Sequence, residues 1–252
     1  MENGFAHGFA LLIGVNEQQA PDLFEYRVPG AATDIQALQS ALQDQCGYPP
    51  ENITVLSGAS ATRDNILQAL DDLAPKLAAH DPEKATAFIY FVGPSHIEQT
   101  DEEAAFRLMP YDAVNPVNQD GFEASTIADH EWAQKVAGIH PERLLMLMDC
   151  CHPRALQIKG EDTSSTEKKT DDKKDNKKPT DEGIKLAGPK PIILPSESIR
   201  WSILNGESSS IVFQSCQDEE LSLEEGGMRI FTQHLIEALT GQAPTTNSTP
   251  DT

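Results

Sequence analysis

The 252-residue chain is short of cysteine, of basic charge and of long apolar runs, and each shortage removes a class of protein. Four cysteines occur, Cys46, Cys150, Cys151 and Cys216. Two are adjacent and none forms a CxxC pair, so neither a disulfide framework nor a structural zinc site is expected. Such sparse use of thiols fits a reducing, cytoplasmic setting. No apolar run approaches the roughly 18 residues of a membrane helix. Residues 1–8 lack a basic stretch followed by an apolar one, so no signal peptide is read there. Lys and Arg total 19 against 40 Asp and Glu, a net charge of −21 that argues against nucleic acid as a partner. An acidic body attracts basic peptides, though the same charge also serves plain solubility. Apolar residues make up 38% of the chain, below the usual ~45–50%. A polar insert and a polar tail carry part of that deficit, which leaves enough for one large α/β domain.

What is present is an alternation of strands and helices. Phe9–Val15 is a short apolar run closed by Asn16, a buried strand. After Pro29-Gly30, Ile35, Leu38 and Leu42 recur at helical spacing through about Gln45, and Gly47-Tyr48-Pro49-Pro50 ends that helix. Ile53–Leu56 reads as a second strand, and Thr62 can cap a helix with Ile66, Leu70, Leu73 and Leu77 on one face. Ala85–Val92 is a third strand, Phe106–Pro110 a short one, and Ile127 to Ala137 a helix. Arg143–Met148 and Ser210–Ser215 are further strands, and Phe231–Leu239 a last helix. This order predicts an α/β fold with a mainly parallel sheet covered on both faces.

The segment Leu144-Leu145-Met146-Leu147-Met148-Asp149-Cys150-Cys151-His152 carries the most chemistry. An apolar run of strand length stops at an acid, two thiols and an imidazole. The carboxyl end of a strand is where open parallel sheets place their ligand chemistry. A nucleophilic thiol there, two residues after a carboxylate, is a peptidase-like arrangement. Alternation along the strand turns Cys150 toward the core and leaves Cys151 as the candidate nucleophile. His152 is adjacent to Cys151, which makes it a poor geometric base.

Other segments agree in order and spacing. Ala10-Leu11-Leu12-Ile13-Gly14-Val15-Asn16 opens the set and Val28-Pro29-Gly30-Ala31-Ala32-Thr33-Asp34 follows. Then come Asp149-Cys150-Cys151-His152, Ser215-Cys216-Gln217 with Glu220, and Phe231-Thr232. Together they resemble the caspase-type cysteine peptidases (peptidase C14-like), most closely the metacaspase and orthocaspase branch. The resemblance covers about residues 8–152 and 190–240. It implies a caspase-like three-layer fold and a cysteine endopeptidase with Cys151 as nucleophile. It also implies preference for Arg or Lys, with Asp34 and Asp149 as the substrate-binding acids. Away from that resemblance, Asp34 reads as a charge near a helix N-terminus.

On this reading residues 1–158 form a large-subunit region, 159–190 a disordered lysine-rich linker, 191–241 a small-subunit region and 242–252 a flexible tail. The linker holds nine Lys against eight Asp and Glu. It is either a self-processing site for an acidic pocket or a solvated insertion that nothing cuts. The resemblance calls for a Ser-Gly-His-Gly loop after the third strand, where this chain reads Val92-Gly93-Pro94-Ser95-His96. Without a gap the catalytic His becomes Pro94, which has no side-chain base and no N–H. With a two-residue shift His96 takes the role. The two alignments give an active protease and a catalytically impaired pseudo-protease that binds or regulates. No cofactor is required, but the resemblance allows calcium, with Asp112 and Asp129 as partial ligands and His130 in place of a second Asp. The expected partner is a basic peptide or protein substrate, with no nucleic acid, no membrane and a monomeric chain.

Overall fold

The computed structural model describes residues 5, 7–80, 85–99, 104–139, 141, 143–151, 209–214, 224–225 and 227–242. The linker at 159–190, His152, Cys216, Gln217 and Glu220 lie outside them, as does the tail from 243 onward.

Strand β1 (Gly8–Gly14) is buried along its whole length, which is why its sequence is apolar without alternation. It pairs in parallel with β2 (Ile53–Ser57) on one side and with β3 (Thr86–Gln99) on the other. Beyond β3 come β6 (Arg143–Cys151) and β7 (Ser209–Gln214), again parallel. The order β2-β1-β3-β6-β7 is thus parallel throughout. Two antiparallel strands, β4 (Ala104–Leu108) and β5 (Ile127–Ala128), extend from the far end of β3.

Both faces of the sheet are covered. Phe9, Leu11 and Ile13 pack with Ile66, Leu70, Leu73 and Leu77 of α2 (Arg63–Ala78) and with Trp132 and Val136 of α4 (Asp129–Ala137). Ala10 and Leu12 face the opposite layer with Ile35, Leu38 and Leu42 of α1 (Ala31–Asp44). The half-buried Phe231, Leu235 and Leu239 of α5 (Ile230–Leu239) join them there. The period-two switch of a strand therefore sorts one run of residues into two cores. A short α3 (Gln119–Ser125) closes a small third cluster around Leu23, Tyr26 and Phe122. This is the three-layer fold expected. Thr62 caps α2 as its chemistry suggests, accepting the Asn65 N–H at 3.4 Å.

Two expectations need correction. Ile127 and Ala128, expected as the start of a helix, form β5, and α4 begins at Asp129. More important for function, Val92–His96 is not a loop: β3 runs through it without a break. The Val92 carbonyl accepts from Val15 N–H at 2.9 Å and the Pro94 carbonyl from Met109 N–H at 3.1 Å. Pro94 has no N–H to carry the ladder with β1 further. Pairing with β1 stops at Gly14–Val92, and β4 takes over that side of β3 from Ser95. The proline marks a change of partner strand rather than a turn.

Candidate active site

Strand β6 delivers Asp149, Cys150 and Cys151 at its carboxyl end, between β3 and β7 of the parallel sheet. Its register with β3 sets Asp149 beside Val92, Cys150 beside Gly93 and Cys151 beside Pro94. Cys150 is fully buried in the core shared with α2 and α4, among Met146 and Met148, as strand alternation requires. Pro94, at the position an ungapped alignment gives to the base, is the backbone neighbour of Cys151. His96 lies two residues further along β3, on the same face as Pro94. Its Nδ1 is 3.1 Å from Tyr26 Oη, and its ring stands edge-on to Phe122 with centroids 5.1 Å apart. Tyr26 and Phe122 come from distant segments, so the imidazole is held by tertiary structure rather than by a loop of its own.

On the face toward α1 and α5 sits a buried charged cluster. Asp149 and Asp34 are both 0% exposed, and Arg229 is 4% exposed. Arg229 Nε donates to Asp149 Oδ2 at 2.7 Å and Nη2 to Asp149 Oδ1 at 3.1 Å, a bidentate fork. The Arg229 backbone N–H donates to Asp34 Oδ1 at 3.0 Å. Asp34 Oδ2 is buried without a hydrogen bond. One cation thus faces two acids. Burial pushes the Asp34 carboxyl up from 3.8 to about 6, against the pull of the Arg229 N–H, the nearby Thr232 hydroxyl and the Arg229 charge. Asp149 adds a smaller upward push. Tyr90 closes the cluster, its Oη 2.6 Å from Thr232 Oγ1. Burial first, and then the Asp149 charge, hold the Tyr90 phenol well above its ordinary value.

Arg229 ends the hairpin of β8 (Glu224–Glu225) and β9 (Met228–Arg229), whose turn contains Gly227 at φ +85°, and it is the N-cap of α5. Its importance has no motif in the sequence. One signal was available: Arg229 is the sole Lys or Arg among residues 201–252. Tyr26 had no comparable signal.

The caspase domain family model matches residues 7–250 of the chain. The protein belongs to the caspase domain family. No curated protein matches it closely enough to refine that assignment.

Within this caspase domain, the structure brings Asp34 and Asp149 together around Arg229, and pairs β3 with β6 as far as Pro94 and Cys151, two residues before His96, which is itself paired with Arg107 of β4. Asp112 and Asp129 are placed differently. Asp112 Oδ1 accepts the backbone N–H of Arg63 at 2.8 Å, capping the start of α2. The Arg63 side chain reaches the Thr126 carbonyl and Glu131. Asp129 opens α4 and accepts the N–H of His130 at 2.6 Å. Among the described residues no group of three or more His, Cys, Asp or Glu is arranged to hold a metal ion. Calcium takes about six oxygen ligands, and Asp112 and Asp129 here each spend one carboxylate oxygen on a backbone N–H at the start of a helix.

Proposed function

We propose that this caspase domain is a cysteine endopeptidase of metacaspase type, with Cys151 as nucleophile and His96 as general base. The reading is supported by the pairing of β3 with β6 up to Pro94 and Cys151, with the tertiary-held His96 two residues beyond Pro94 on the same face. The Cys151 thiol gives its proton to His96 and its sulfur attacks the scissile carbonyl carbon. The C–N bond breaks as His96 returns the proton to the leaving amine, and water then releases the acyl group. His96 must offer Nε2 as the basic nitrogen for this. An Nδ1–H donated to Tyr26 Oη is the tautomer that leaves Nε2 its lone pair. Asp34 and Asp149 would read the Arg or Lys side chain before the cut bond, because a buried cation needs compensating carboxylates.

The test is turnover of a fluorogenic Arg peptide against an Asp peptide, with and without calcium, for the wild type, Cys151→Ala and His96→Ala. The reading expects cleavage after Arg that both substitutions abolish. Cleavage surviving Cys151→Ala would sink it.

Pro94 as the strand neighbour of Cys151 favours a second reading, a catalytically impaired relative that binds basic segments. That reading expects no turnover of either peptide, with capture of a Lys-rich peptide that Cys151→Ala does not weaken.

A further inference from the structure

We propose that Arg229 is a built-in occupant of the cation subsite, closing it to basic side chains until the β8–β9 hairpin withdraws. This rests on the reading of Asp34 and Asp149 as the acids that receive a substrate's Arg or Lys. The contacts Arg229 makes are those a bound guanidinium would make: a bidentate fork on Asp149, in a site shut off from water. Its backbone N–H adds a contact to Asp34 that no substrate side chain could copy. The subsite is therefore filled by the chain itself.

The occupant is nevertheless exchangeable in principle. Replacing one guanidinium by another keeps the fork on Asp149 and gives up only the Arg229 N–H contact to Asp34, and the desolvation of the entering cation is offset by the hydration of the departing one. What remains to be overcome is local movement of a short element. The hairpin has only two residues in each strand, and its turn contains Gly227. Gly227 at φ +85° is exposed, and a Cβ built on it would meet nothing within 4 Å. Glycines permit the backbone changes that a hinge needs. Arg229 also caps α5, whose apolar side is only half buried on α1, so a shift at residue 229 does not have to open the main core. A ligand that fits the acids only when Arg229 is out draws the population to the open form and pays in apparent affinity for the closed one.

Benzamidine and ethylguanidinium are the probes, read by thermal shift against NaCl at equal ionic strength. Arg229→Ala leaves two acids without a cation. It should bind both probes at least tenfold more tightly than the wild type does, and Asp149→Asn added to it should abolish the gain. Arg229→Gln keeps donors toward Asp149 but no charge, and should show the same gain if the alanine variant folds poorly. A folded Arg229→Ala with wild-type affinity for both probes overturns the proposal. So does failure of both variants to fold even with the probes present, since Arg229 is then a structural pin and not an occupant. Peptide turnover by the same proteins separates this from the peptidase reading. Probe binding without cleavage keeps the occupied subsite and removes the protease. Cleavage after Arg by the wild type, with no gain of affinity on removing Arg229, does the reverse.

Discussion

Tyr26 is the residue whose contribution is most open to measurement, because its hydroxyl meets His96 at Nδ1 while its ring lies beside the imidazole, and the two contacts can be removed separately. On the peptidase reading, His96→Ala costs about 10²–10⁴-fold in kcat/KM, the usual worth of a general base. Tyr26→Phe keeps the ring and removes the hydroxyl. A smaller loss is expected from it, together with a displaced acidic limb in the pH profile of kcat/KM. An unchanged profile would reduce Tyr26 to packing. Cys150→Ala is the counterpart control: the thiol is buried among methionines and off the catalytic face. It should cost about 1 kcal/mol in a urea melt and leave turnover intact. The burial of Cys150 was legible in the sequence because strand alternation is a rule of local geometry. Tyr26 and Arg229 were not, because their partners lie 70 and 80 residues away, and no local periodicity encodes such a contact.

Helix α1 shows how an element places a charge. Gly14 lets it lie close on β1: a Cβ there would stand 2.6 Å from Ile35 Cγ1 and 3.2 Å from the Ala31 carbonyl. Gly14→Ala should therefore push α1 away, costing roughly 1–3 kcal/mol in chemical denaturation, and should also loosen Asp34 from Arg229. The helix pays for holding Asp34 in the interior through its titration. The folded carboxyl keeps its proton to about pH 6, whereas the unfolded chain loses it near 3.8. Between those values the native state binds more protons, so the contribution favours folding below the lower value and is lost as pH rises through the higher one. Asp34→Asn removes that titration. Relative to the variant, the wild type should lose on the order of 1–3 kcal/mol between pH 4 and pH 7 in paired urea melts. Equal slopes for both proteins would refute a raised Asp34. The helix and its apolar face could be read from spacing alone. The depth of Asp34 could not, since a fourth-position acid on a helix is as often a solvated charge as a buried one.

Over the whole molecule, the net charge of −21 acts beyond any one contact. If the substrates are basic, kcat/KM for a Lys- or Arg-rich peptide should fall severalfold from low salt to about 0.3 M NaCl, with kcat little changed. A salt-independent rate would make the acidity a matter of solubility only. The layer order was legible because buried runs and amphipathic helices alternate along the chain. The sharing of β3 between the parallel sheet and the antiparallel pair was not, since Pro94 reads as a loop residue until the end of β1 is known. The cluster around Arg229 also has a consequence in time. A ribosome delivers Asp34 and Asp149 long before residue 229. While only the first 151 residues have emerged, the nascent sheet can bring two carboxylates into its interior with no guanidinium to meet them. At neutral pH that arrangement is penalised by its own charge until Arg229 joins it, so closing the sheet around the two acids is expected to follow residue 229.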